Sequence, residues 1–282
     1  MKITNNLNLP ASLVDVVSRE YEYKDKRYSV TSLLKGVRET ILQRRHHNEI
    51  EQDVSEMIWL ILGTAAHRVM EDYNEGQEEF KEEKLSVPIG EYTLSGIFDL
   101  YSADKKQVVD YKTCSVWKII HGDYDEWKMQ LLIYAYMLRE LGFPCECGQM
   151  VAIMKDHSKT KARVTADYPD YPVKVIDFEF SIKDFAFIEH WLKLKFENIS
   201  LCEDLPDDKL PICTPEERYN QGDKYACMKK GRKRALRVFD TLEEAETYEC
   251  DYVDVRKGED TKCKYYCSAR EFCNYYKEEV EE

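Results

Sequence analysis

A chain of 282 residues offers material for one large domain, or for a core with an appendage, and for a sizeable buried centre. With 41 lysines and arginines against 54 aspartates and glutamates the formal charge is −13, so the surface repels nucleic acid on average and any such contact needs a local basic patch or bound metal ions. That weighs against a simple DNA coat protein, and much less against an enzyme whose acids gather at metal sites. No signal peptide is read in the first residues and no run is long enough to span a bilayer; an intracellular, soluble protein is expected, with its ten cysteines as thiols or metal ligands rather than disulfides.

Residues 28–45, YSVTSLLKGVRETILQRR, place Leu33, Leu34, Val37, Ile41 and Leu42 on one helical stripe behind Thr31 or Ser32 as the N-cap. The Arg44-Arg45-His46-His47 run is either a phosphate contact or a solvated helix end whose charge complements the dipole. A second helix is predicted over residues 55–73. There Gly63, Thr64, Ala65 and Ala66 form a small-residue patch that admits a close neighbour, His67 follows it, and Glu71 lies one turn further along the same face.

Residues 92–113, YTLSGIFDLYSADKKQVVDYKT, hold two short alternating runs on either side of a polar connection over residues 102–106, the pattern of a β-hairpin. Strand side chains alternate faces, so Val108, Asp110 and Lys112 share one face of the second run, and Thr93, Ser95, Ile97 and Asp99 one face of the first. If pairing brings those faces together, two carboxylates and an ammonium enter one small site, an arrangement that binds a divalent metal and steadies a charged transition state. Asp110 and Lys112 stand in an otherwise apolar VVDYKT strand, where buried charge is costly unless it is paired or holds a metal. A third helix is predicted over residues 125–141, with Gln130 and Tyr134 on one face beside Trp127, Leu131 and Met137.

Residues 148–156 and 173–181 read as further strands across a polar connection containing Pro169 and Pro172. Residues 182–198 read as a helix with Phe185, Phe187, Ile188, Trp191, Leu192, Leu194 and Phe196 around a broad apolar face. Strands flanked by helices indicate an α/β protein. From about residue 201 the composition turns to proline, cysteine and charge, with Pro206, Pro211 and Pro215 in an irregular connection; a core over residues 1–200 and an appendage over residues 201–282 are expected.

In the appendage, KKGRKRALR gathers Lys229, Lys230, Arg232, Lys233, Arg234 and Arg237 without an acid, either a DNA-backbone contact or a solvated turn. Residues 240–249 read as a capped, acidic helix. The tail carries Cys263, Cys267 and Cys273, whose short spacings let three thiolates converge on one metal, one ligand short of a tetrahedral zinc site or a [4Fe-4S] cluster. Cys213 is the first choice for the fourth, with Cys202, Cys227 and Cys250 behind it; three reduced cysteines in a helical tail are the alternative to any metal.

In order, Gly63-x-x-x-His67, Asp99, Asp110-Tyr111-Lys112 and Gln130-x-x-x-Tyr134 resemble the motifs of the RecB-type branch of the PD-(D/E)XK nuclease superfamily, over about residues 63–134. The resemblance implies a restriction-endonuclease-like α/β core, a mixed central sheet flanked by helices, and metal-dependent cleavage of DNA. It implies Mg²⁺ or Mn²⁺ held by Asp99, Asp110, the Tyr111 carbonyl and His67, Lys112 orienting the attacking water or stabilising the phosphorane, Gln130 and Tyr134 bordering the site, and Glu71 supporting His67. Stand-alone exonucleases of this branch, often phage-encoded, work beside single-strand annealing proteins; a non-catalytic module that keeps the fold is the rival. Relatives with an iron–sulfur cluster resemble the tail, but place their fourth cysteine upstream of the nuclease motifs, whereas here no cysteine precedes Cys114.

Overall fold

The computed structural model describes residues 1–18, 23–71 and 79–281, the side chains of His67, Met70 and Glu71 excepted. The chain divides into two compact units, Met1–Lys35 with Glu51–Glu203, and Gly36–Ile50 with Asp204–Glu282. The later boundary falls near the prolines. Residues 36–50, expected within the core, belong to the second unit.

The first unit is a mixed α/β structure built on the strand Gln107–Cys114. In a five-stranded sheet this strand lies between Leu100–Ser102, antiparallel to it, and Cys147–Met154, parallel to it; Glu79–Lys81 and Val173–Glu179 form the two edges. Val108, Val109 and Asp110 are all buried, as a strand covered on both faces requires. The cover includes the helix Asp125–Glu140, nine of whose sixteen residues are buried, so its apolar stripe is wide enough to pack on the sheet and on a second helix. That second helix, Ile182–Cys202, begins with a capping box between Ser181 and Asp184 and buries Ile188, Leu192, Phe196 and Ile199, while Phe187 and Leu194 face solvent.

Two expected elements are broken in the structure. The run over residues 92–102 is two strands in two sheets: Tyr92–Ile97 pairs with Lys84–Ile89 and Arg27–Ser29, and only Leu100–Ser102 pairs with Gln107–Cys114. Asp99 therefore sits in the bend between sheets and not on the strand face shared with Ser95. Likewise residues 28–45 form no single helix. Val30–Leu33 is capped by Ser29, whose Oγ accepts the Ser32 N–H at 3.1 Å, and Val37–Arg45 starts afresh after an extended Gly36. Glycine is a poor helix former, and a Cβ on Gly36 would stand 2.6 Å from Cys213 Sγ within the second unit, so close packing fixes the residue at the break.

The second unit contains an antiparallel sheet of Lys224–Met228 between Arg237–Phe239 and Tyr252–Arg256, with short helices that include Leu242–Thr247, Thr261–Tyr265 and Asn274–Glu279. Among the described residues, no helix is long and apolar enough to cross a membrane.

Gly148, on the strand beneath helix Asp125–Glu140, has no room for a side chain: an added Cβ would lie 2.9 Å from Phe180 Cζ and 3.0 Å from Leu131 Cβ. Gly148→Ala is expected to cost about 1–3 kcal/mol through overpacking, seen as a lower urea midpoint; an unchanged midpoint would show that helix and sheet can separate freely there.

Candidate active site

Asp110 is 2 % exposed at the centre of the first unit. Its Oδ1 accepts a hydrogen bond from Gln130 Nε2 at 3.1 Å, and its Oδ2 lies 2.7 Å from Lys112 Nζ, two residues along the same strand face. Both contacts follow from local geometry: the period of two puts the ammonium beside the carboxylate, and the helix Asp125–Glu140 lowers Gln130 onto it. Lys112 keeps 28 % of its side chain exposed, so the ion pair is closed on the protein side and open on the other.

Asp99 reaches this strand from the bend. The ladder from Leu100–Ser102 ends at the Leu100–Val109 pair, and just beyond it Asp99 Oδ2 accepts the Tyr111 N–H at 2.6 Å, standing in for the missing strand partner. Tyr134 joins the group from the helix. Burial pushes its phenol up, the Asp110 charge adds to the shift, Asp99 and Glu82 contribute less, and a hydrogen bond with the Gln130 side chain opposes them. Tyr111 is also raised, by burial and then by the charges of Asp99 and Glu79. Thus Asp99, Asp110, Lys112, Gln130 and Tyr134 form one neighbourhood, although Asp99 arrives by another route than strand alternation.

Gly63 on helix Ile58–Glu71 faces the same strand, an added Cβ lying 3.6 Å from Thr113 Oγ1, so the small-residue patch does admit a close neighbour. The side chains of His67 and Glu71 lie outside the described residues. Glu82 was not singled out from the sequence, where it is one acid in a charged run. Its N–H donates to the Asp99 carbonyl from a left-handed backbone, φ 49°, and its charge is felt at Tyr134.

In the second unit Cys213, Cys263, Cys267 and Cys273 line one cavity of about 20 Å³ together with Arg38, Glu39, Arg218 and Lys262. Cys213 comes from the proline-rich connection and the other three from the tail, so residues some fifty positions apart in sequence meet there. Burial, followed by the Glu217, Asp260 and Glu39 carboxylates respectively, pushes the Cys213, Cys263 and Cys267 thiols up to about 11, 12 and 12. Against this, the Glu39 backbone N–H donates to Cys213 and that of Ala269 to Cys267, contacts that favour thiolate. Arg38 Nη1 lies 3.5 Å from Cys273 Sγ and Lys262 Nζ 2.8 Å from Glu39 Oε2. The other fourth-ligand candidates sit elsewhere: Cys227 is buried against Cys250 and donates to the Ala245 carbonyl, and Cys202 belongs to the first unit. Among the described residues, no group of three or more His, Cys, Asp or Glu side chains is arranged so that it could hold a metal ion, the four cysteines of this cavity included.

The basic run forms the exposed connection between strands Lys224–Met228 and Arg237–Phe239. Gly231 turns it at φ 81°, and Lys229, Lys230, Arg232, Lys233, Arg234 and Arg237 are all exposed.

No family model matches the chain, and no curated protein sequence is significantly similar to it. Solved structures do resemble it in part. The protein SSO0001 matches at a TM-score of 0.46 and 20 % identity over 70 % of this chain and 85 % of its own. An alkaline exonuclease from Laribacter hongkongensis matches at 0.40 and 12 %, over 62 % and 89 %. A phage-related exonuclease from Haemophilus somnus 129PT matches at 0.28 and 10 %, over 68 % and 79 %.

The raised thiols give the metal-free protein a pH dependence of defined sign. An unfolded chain releases these protons near the usual thiol value of 9.0, the folded one only near 11 to 12. Their contribution to stability is therefore whole below pH 9 and is lost as pH rises through the folded values. Urea midpoints of metal-free protein should fall on the alkaline side of pH 9, and Cys213→Ser with Cys267→Ser should flatten that fall; an equal slope in the variant would refute the assignment.

Proposed function

We propose that this protein is a metal-dependent deoxyribonuclease, an exonuclease acting in DNA recombination, repair or phage DNA processing. The observation that supports it most is the buried Asp110 carboxylate, held by Lys112 and Gln130, with Asp99 bonded to the next residue of the same strand. A structural ion pair would not need a second acid beside it.

The donor set suits a hard cation: Asp99 and Asp110 offer carboxylate oxygens, with the Tyr111 carbonyl and His67 as the further ligands for Mg²⁺ or Mn²⁺. When bound, such an ion acidifies water and neutralises charge on the leaving oxygen. The residues of the chain do the rest. Gln130 fixes the orientation of Asp110 through its amide, and Tyr134, kept protonated by burial, fixes Gln130. The half-exposed ammonium of Lys112 orients the attacking water and stabilises negative charge on the phosphoryl oxygens as the new P–O bond forms and the ester P–O bond breaks. Glu71 supports His67.

The four thiols around the second cavity take a [4Fe-4S] cluster, with Zn²⁺ as the alternative for the same donors, Cys213, Cys263, Cys267 and Cys273. Two backbone N–H groups donate to the Cys213 and Cys267 sulfurs and the Arg38 guanidinium lies 3.5 Å from Cys273 Sγ, while burial on balance holds the Cys213 and Cys267 thiols protonated in the metal-free protein. The exposed basic turn contacts the DNA backbone, and a single-strand annealing protein is the partner class that fits an exonuclease of this kind.

End-labelled linear and circular DNA, with Mg²⁺, with Mn²⁺ and with chelator, provides the test. Metal-dependent loss of linear DNA is expected, reduced at least about 10²-fold in Asp110→Asn and in Lys112→Ala with circular dichroism unchanged. Cutting undiminished in folded variants would remove the assignment, and binding without cutting under every condition would favour a non-catalytic module. Anaerobically purified protein should carry iron and absorb visible light; zinc alone selects the alternative, and neither metal removes both.

A further inference from the structure

Two cysteines of the second unit stand apart from the four that line its cavity. Cys227 lies on Lys224–Met228, the central strand of the antiparallel sheet, and is 0 % exposed. Cys250, in the connection that follows the helix Leu242–Thr247, is half-buried. Backbone pairing draws the two segments together. In the ladder with Tyr252–Arg256, Cys227 pairs with Val253 and Met228 with Tyr252, and just past its end the Asp251 N–H donates to the Met228 carbonyl at 2.9 Å. The residue after each cysteine is thus joined to the residue after the other, and the Cys250 side chain hydrogen-bonds with the Cys227 thiol.

The surroundings tolerate loss of the buried thiol proton. Cys227 donates to the Ala245 carbonyl oxygen, 3.2 Å from its Sγ, but that oxygen also accepts the Tyr248 N–H at 3.2 Å. Removing the S–H therefore leaves no buried acceptor unpaired. Burial first, then the hydrogen bond and charge of Cys250, push the Cys227 thiol up to about 11. The last two causes vanish once the Cys250 sulfur is bonded to another sulfur, so reaction at Cys250 makes Cys227 the readier nucleophile. Exposure sets the same order, since a reagent in solution meets Cys250 first.

We propose that Cys227 and Cys250 are a modification site, a dithiol that forms a reversible disulfide by exchange with a low-molecular-weight disulfide of the glutathione class. The Cys250 thiolate, its proton lost to water, attacks one sulfur of the reagent and expels a thiolate, which takes a proton from water. Cys227 then attacks the Cys250 sulfur of the mixed disulfide, and its proton goes to the second departing thiolate. Two protein thiols are oxidised to one disulfide while the reagent disulfide is reduced to two thiols. The crosslink closes residues 227–250 into a loop that contains the basic turn and the helix Leu242–Thr247. Asp251, next to Cys250, already accepts the Lys230 N–H at 2.7 Å, so the bond reinforces a contact at the root of that turn.

The test uses full-length protein purified anaerobically without chelator. It is incubated with oxidised glutathione, alkylated, digested without reduction, and its peptides are weighed. A peptide pair joined through Cys227 and Cys250, and separated again by dithiothreitol, is expected. The single variants should give unlike results: Cys227→Ser traps one glutathionyl group on Cys250, whereas Cys250→Ser leaves Cys227 unmodified. Glutathione held on Cys250 of the unaltered protein with no joined pair, Cys250 bonded to a different cysteine, or no reaction at either thiol would overturn the site. Equal labelling of Cys227 and Cys250 in the two folded variants would overturn the order of attack and with it the proposal. The joined pair is read in the unaltered protein, so the outcome stands even where a variant fails to fold.

Discussion

A carboxylate buried in the middle of a sheet sets the terms for the first unit. Desolvating Asp110 carries a penalty of several kcal/mol unless polar partners replace water, and two do, Lys112 along the strand and Gln130 from the overlying helix. The helix must therefore lie low on the sheet. Glycines make that approach possible: Gly148 leaves room for Leu131 and Phe180, and Gly96 leaves room for Tyr134. The packing that solves an electrostatic problem is the same packing that brings Gln130 and Tyr134 to Asp110.

The second unit meets a similar demand around its thiols. Glu39 and Lys262 pair with side-chain exposures of only 6 % and 12 %, and Arg218 joins Asp260, which Asn220 and Tyr275 also bond. Arg38 spends its guanidinium on the Leu210 carbonyl at 2.7 Å and on Cys273. Polar residues thus form much of the wall, and the sulfurs are held among fixed charges.

The separate elements were largely legible from residues alone. Period-two and helical patterns located the strands Gln107–Cys114, Cys147–Met154 and Val173–Glu179 and the helices Asp125–Glu140 and Ile182–Cys202. Asp110 and Lys112 could be placed on one face by spacing, and Gln130 by resemblance. The sheet change at Phe98 and Asp99 was hidden because alternation runs through it unbroken; only the missing ladder partner of Tyr111, a tertiary fact, explains the bend. The same holds at Gly36, where the apolar stripe of residues 33–42 continues in helical period across a break imposed by Cys213.

The excursion of Gly36–Ile50 into the second unit bears on how the chain is made. Arg38, Glu39, Gln43 and His46 find their partners at Leu210, Lys262, Ser268 and Asp207, more than 150 residues later. Contacts of such separation form slowly, and domains otherwise tend to fold from the N-terminus during synthesis. An early segment must therefore wait, with its charged groups in water, until residues 204–282 have been made. Loss of residues 204–282 would strand it permanently, so damage there would be felt by the distant helix Val37–Arg45.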